Sequence, residues 1–314
     1  MSKKRAYVIY CVGQKYIDGI APLVEFLLDY SVHEIHIHFA EGTINYINSR
    51  IKTFPIHIEY KFDFNTIPYH KPSAIRNCYL MLYKPQTCLT TLTQSDVDEC
   101  LYLDTDIVPS PNIDRLFDKY ANNCTTYPLL SKYPPNNYLI EGRPLVLDKV
   151  LNLLKISRKA QSVPSLCAGM MMANKNCVSF LKTWVNFVHS NEFIDAFIRS
   201  PGVEDKDMCQ FTDEIAGNAL IWVCGGTEYL PPMVWTGKSQ CVEYVLNLYK
   251  TPTVVGLHPD YPKKNYGWTP DEYAEPYVCN ASVFPLQKED LLAFHAIKKP
   301  EEYSQSFKYM RQLF

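Results

Sequence analysis

Two rhythms of apolar positions alternate through the N-terminal part of the chain. Short apolar runs, "AYVIYCV" at 6–12, "EIHIHFA" at 34–40 and "IHIEYKF" at 56–62, predict β-strands, because runs of this length rich in β-branched and aromatic residues suit a buried sheet. Between them, apolar positions three and four apart predict helices over 17–30 and, more briefly, 44–51. A further helix over 73–83 leads to "ECLYLDTD" at 99–106, a central strand that ends in two aspartates. Strand–helix–strand repetition implies an α/β fold with a mostly parallel sheet flanked by helices. Beyond residue 118 the rhythm loosens into the Pro-rich "SKYPPNNYLIEGRP", the small-residue segment "SLCAGMMMANKN", helices over 177–189 and 213–223, and a Tyr- and Pro-rich tail over 251–314. With no internal repeat and no long linker, one domain over 1–314 is expected.

Composition narrows the classes. A chain of 314 residues, 47% of them hydrophobic, is large enough to bury a substantial core. With 31 basic against 33 acidic residues, it has no general attraction for nucleic acid or anionic lipid, so any phosphate site must be local. The first apolar run stops at Val12, too short for a signal segment, and none approaches about 18 residues, so no membrane span is expected. Eleven cysteines without a C-x-x-C pair suit reduced thiols and a cytoplasmic location.

Asp104 and Asp106 project to the same side of an extended chain, where like charges repel unless a cation lies between them. Their place at the carboxyl end of a strand is where ligands bind in open α/β sheets. A magnesium or manganese ion is the simplest counter-charge. Two other readings fit the residues. "DTDIV" satisfies the D-x-D-x-[TV] pattern of haloacid-dehalogenase-type phosphatases, and two strand-end aspartates can simply cap the turn "VPSPNID".

Four segments, in order, resemble the glycogenin-like, galactosyltransferase-related nucleotide-sugar glycosyltransferases of the GT-A fold. "VGQKYIDGI" is similar to the opening T-N-D-x-Y-x-x-G-A loop, with Tyr16 and Gly19 in register. "LYLDTDIVPSPNIDRLFD" is similar to the D-x-D strand and its following N-I-D-x-L-F. "TDEIAGNAL" follows D-Q-x-x-L-N at Asp213 and Asn218, with Glu214 for Gln and Gly217 for Leu. "LLAFHAIKKP" is a shortened form of H-x-x-G-x-x-K-P, and in "SLCAGMMM" Gly169 matches the N-x-G-v-m strand.

The resemblance implies transfer of a hexose or pentose from a nucleotide diphosphate, UDP foremost, to a hydroxyl on a glycan or protein. Residues 1–118 then form the nucleotide-binding half, and 119–314 the acceptor-facing half with a C-terminal lid. Tyr16 is expected to stack on the base, with the backbone around Cys11, Val12 and Gly13 at its polar edge. Arg76 is expected at phosphate or ribose, and Lys298, or the adjacent Lys299, at a phosphate. Asp104, Asp106 and His295 are the implied metal ligands, with Asp104 also a ribose contact and His258 an alternative to His295; a histidine ligand favours Mn²⁺ over Mg²⁺. Asp213 and Glu214 are expected over the donor sugar as catalytic or sugar-binding carboxylates. The resemblance implies a retaining course; Glu214 in place of an amide leaves inversion open. A nucleotide-sugar-binding module without turnover is a further reading.

Overall fold

The computed structural model describes residues 3–67, 71–105, 107–109, 113–132, 144–156, 166–199, 212–230, 234–237 and 293–297. Within them the strands are β1 (Arg5–Val12), β2 (Glu34–Ala40), β3 (Ile51–Pro55), β4 (Glu99–Leu103), β5 (Ile107–Pro109), β6 (Leu129–Lys132), β7 (Leu166–Asn174), β8 (Val234–Gly237) and β9 (Ala293–Ile297). The helices are α1 (Gln14–Gly19), α2 (Ala21–Tyr30), α3 (Pro72–Met81), α4 (Lys84–Gln94), α5 (Arg115–Tyr120), α6 (Pro144–Leu153), α7 (Val178–Val188), α8 (Asn191–Ile194) and α9 (Thr212–Val223).

Six strands form the main sheet in the order β3-β2-β1-β4-β7-β6. The run from β3 to β4 is parallel, and β7 lies antiparallel between β4 and β6. The result is a mixed α/β, Rossmann-like sheet flanked by helices. Every side chain of β4 and β7 is buried, which explains why both read as unbroken apolar or small-residue runs rather than as alternations. A second sheet, β5-β9-β8, begins immediately after the aspartate pair. The division at residue 118 runs through the main sheet, because β1 to β4 precede it and β6 and β7 come from beyond it. No helix among the described residues is long and apolar enough to cross a membrane.

Three local expectations change. The helix expected over 17–30 is two helices that meet at Ile20, since Pro22 has no amide to donate to a continuous one. Residues 44–51 do not form a helix. Asn48 accepts the Arg50 amide through its side chain and the Ile51 amide through its carbonyl, and this turn feeds β3 at Ile51–Pro55; the strand lies immediately before the expected 56–62 run, which is not itself a strand. The Thr-rich "KPQTCLTTLTQ" is helical although β-branched residues disfavour helices. Thr87 and Thr93 donate their hydroxyls back to Lys84 and Leu89 carbonyls, and burial of Cys88, Thr91 and Leu92 supplies the rest.

Candidate functional site

The carboxyl ends of β1 and β4 open on a cleft of about 250 Å³ between the first loop and α3. Tyr10, Cys11, Val12, Tyr16, Arg76, Asn77, Leu80, Met81, Lys84, Tyr102, Asp104 and Thr105 line it. Val12, Tyr16, Arg76 and Asp104, each expected at a nucleotide site, thus share one cavity. Gly13 starts α1 with φ 84°, a backbone conformation that L side chains rarely adopt, and its amide is fastened to the Ala40 carbonyl at 2.9 Å. Tyr16 rises from this turn with 43% of its surface exposed. Tyr10 does not share that freedom; it is buried and its hydroxyl donates to the Leu80 carbonyl. Cys11 is a buried thiol pushed up to about 12 by desolvation, so it is not a thiolate nucleophile at neutral pH.

The Thr-rich segment lies between Arg76 and Asp104 in the sequence. Folded as α4, it returns to the sheet, so that α3 stays at the cleft. Arg76 pairs with Glu41 and lies 5.6 Å over the Tyr60 ring.

Lys84, which the sequence did not single out, is the charged centre of the site. Its ammonium lies 3.0 Å from both Asp104 oxygens and 3.6 Å from Asp213 Oδ2. Burial works against its charge, but Asp104 and Asp213 outweigh burial and hold its pKa above the ordinary lysine value. The lysine opens α4, where the positive end of the helix dipole disfavours a cation. That local conflict is the signal that would have marked it, had the Thr-rich segment been read as a helix. Tyr102 completes the group by donating to Asp104 Oδ1 at 2.6 Å.

Asp213 reaches this group because α9 is clamped onto β7. Glu214 Oε2 accepts the Ala168 amide at 2.9 Å, and the Asn218 side chain accepts from Leu166 N and donates to the Leu166 carbonyl. Gly217 is needed where α9 meets α7, since a Cβ there would lie 2.2 Å from the Trp184 ring. Glu214 and Asn218 therefore anchor the helix while Asp213 points at Lys84. Asp213 is 3% exposed, desolvation raises its pKa, and its Oδ2 has no hydrogen-bond partner. β7 is also tied to the acidic strand end: the Asp104 amide donates to the Gly169 carbonyl at 2.8 Å.

The small sheet joins the C-terminal part of the chain to this edge. In the β5–β9 ladder Ile107 pairs with His295, so His295 is in register with the residue that follows Asp106. Asp106, His258 and Lys298 lie outside the described residues, as do the side chain of His295 and most of the expected lid. Among the described residues no three His, Cys, Asp or Glu side chains form a metal-binding group. The residues that are described fit a cation near Asp104: carboxylates exceed ammonium groups there, and one buried carboxylate oxygen lacks a partner.

No protein-family model matches the chain, and no curated protein matches it at a significant level.

Proposed function

We propose that the chain is a metal-dependent glycosyltransferase of the GT-A type that moves a sugar from a nucleotide diphosphate, UDP foremost, to a hydroxyl of a glycan or protein. One observation carries the reading: Tyr16, Arg76, Lys84 and Asp104 surround a single cleft at the carboxyl edge of the sheet, and His295 is in ladder register one residue beyond Asp106. Tyr16 stacks on the base, and Arg76 and Lys84 meet the diphosphate or the donor sugar. Asp104, Asp106 and His295 are the residues that would hold Mn²⁺ or Mg²⁺. Bound there, the ion supplies a Lewis acid for the charge that develops on the leaving diphosphate.

Asp213, with an unpartnered oxygen, accepts from a sugar hydroxyl. The bond from the sugar C1 to the diphosphate oxygen breaks as the acceptor oxygen bonds to C1, and the acceptor proton passes to the departing phosphate. This retaining course keeps donor and acceptor on one face and needs no carboxylate base, in keeping with Glu214 being occupied by the Ala168 amide.

Release of UDP from a panel of UDP-sugars in Mn²⁺, with and without EDTA, tests the proposal. Slow metal-dependent release supports it. Hydrolysis of simple phosphomonoesters without UDP release replaces it with the phosphatase reading, and UDP binding without turnover replaces it with a binding module.

A further inference from the structure

Glu41 stands immediately after β2, at the same edge of the sheet as the cleft, and has φ 55°, rare for a residue with a side chain. Its carboxylate accepts from the Arg76 guanidinium through Oε2 and from the Tyr60 hydroxyl through Oε1. The side chain remains 35% exposed, and an ionised carboxylate has about four lone-pair sites, so each oxygen keeps room for another donor. Burial disfavours its charge, but Arg76 and Tyr60 outweigh that and hold its pKa below the ordinary value, so the acceptor is ionised.

Sheet order supplies the direction. β2 adjoins β1, and β1 adjoins β4, which ends at Asp104. Neighbouring strands are about 4.8 Å apart, so a ligand whose diphosphate lies at β4 extends about 10 Å to reach β2 with its nucleoside. Asp104 is already engaged by Lys84 and Tyr102. The carboxylate at the end of β2, beside the glycine turn that fixes Tyr16, keeps acceptor sites to offer to the nucleoside.

We propose that Glu41 binds the ribose cis-diol of the nucleotide and makes the site selective for ribonucleotides over 2′-deoxyribonucleotides. This rests on the nucleotide-sugar reading above. Two vicinal hydroxyls match the two oxygens of a carboxylate, and the contact is charge-assisted. Arg76 and Tyr60 act as positioning groups that aim the carboxylate.

The test is calorimetric titration of the full chain, in Mn²⁺, with UDP and with 2′-deoxy-UDP. Wild type is expected to bind UDP about tenfold more tightly, the worth of one charge-assisted hydrogen bond. Glu41→Asn, which suits φ 55°, and Glu41→Gln should bring the two affinities together. If UDP binds and the ratio survives both substitutions, or if only the UDP-to-CDP ratio changes, the ribose assignment is overturned and the nucleotide-sugar reading stands. If wild type binds neither nucleotide, both fall.

Discussion

The two ends of β4 carry carboxylates in opposite electrostatic situations. At the amino end Glu99, 1% exposed, is matched by Lys3 at 2.5 Å and Arg5 at 2.9 Å, and Arg5 also reaches Asp118. Both bases are partly exposed and keep contact with water. At the carboxyl end Asp104 and Asp213 share one largely buried lysine, that lysine opposes a helix dipole, and Asp213 keeps an oxygen without a hydrogen bond. A matched cluster stabilises the fold. An unmatched one is retained against its cost, and such violations of local rules concentrate where ligands bind.

The sharpest test of that contrast is loss of activity. Asp106→Ala should lower sugar transfer by about a thousandfold or more, the scale of removing a group that supports charge development in the transition state. The melting temperature should change little, since removing one of two like charges relieves repulsion. Full activity in EDTA would remove the metal from the account.

The second measurement compares stability at the two ends. Lys84→Met leaves the buried Asp213 and the half-buried Asp104 without their cation and should cost about 3 kcal/mol, with activity lost. Glu99→Gln should cost about 2 kcal/mol, because Lys3 and Arg5 can rehydrate, and should leave transfer unchanged. Chemical denaturation together with UDP-release assays reads both. Equal loss of activity in the two variants would erase the functional distinction.

A third experiment sets the pH range in which the ends can be compared. His38 is buried within β2, bonded to Thr91 at 2.9 Å and stacked on Phe54, and desolvation lowers its pKa to about 3. In the folded state it stays neutral while the unfolded chain takes up a proton below pH 6.5, so stability falls with pH from 6.5 down toward 3. From pH 6.5 to pH 5 the loss is about 2 kcal/mol. His189, lowered by burial to about 4, adds in the same direction. His38→Gln should flatten the slope of denaturation free energy against pH.

The readable parts of the sequence were those where one periodicity acts alone. "EIHIHFA" coincides with β2, and the strand before the aspartates was unambiguous because both of its faces are buried. The Thr-rich helix was not readable: its hydroxyls answer backbone carbonyls, and its burial against the sheet and α7 is a tertiary effect. Lys84 was lost with it. Within "TDEIAGNAL" the residue types were apparent but their division of labour was not, since whether a carboxylate faces the cleft or clamps β7 depends on strand order. Glu41 was not singled out, because its meaning comes from the adjacency of β2 and β1.

The smallest predicted effects come from two tyrosines toward opposite ends of β1. Tyr7 is fully buried on β1 toward the amino edge, and its hydroxyl donates to Asp114, which also accepts from Ser31. Tyr7→Phe removes one part-buried hydrogen bond and should cost about 1 kcal/mol of stability with UDP affinity unchanged. Tyr16, by contrast, is 43% exposed at the mouth of the cleft, and little of the fold depends on its ring. Tyr16→Ala should leave stability nearly intact and weaken UDP binding by about 1 kcal/mol, close to fivefold, the lower range for a base stacked on an aromatic ring. Tyr16→Phe should bind like wild type, because a stack needs the ring and not the hydroxyl. Calorimetric UDP titration paired with thermal melts separates the cases: if Tyr7→Phe weakens UDP while Tyr16→Ala does not, the base lies elsewhere and the functional contrast between the two ends of the sheet is reversed.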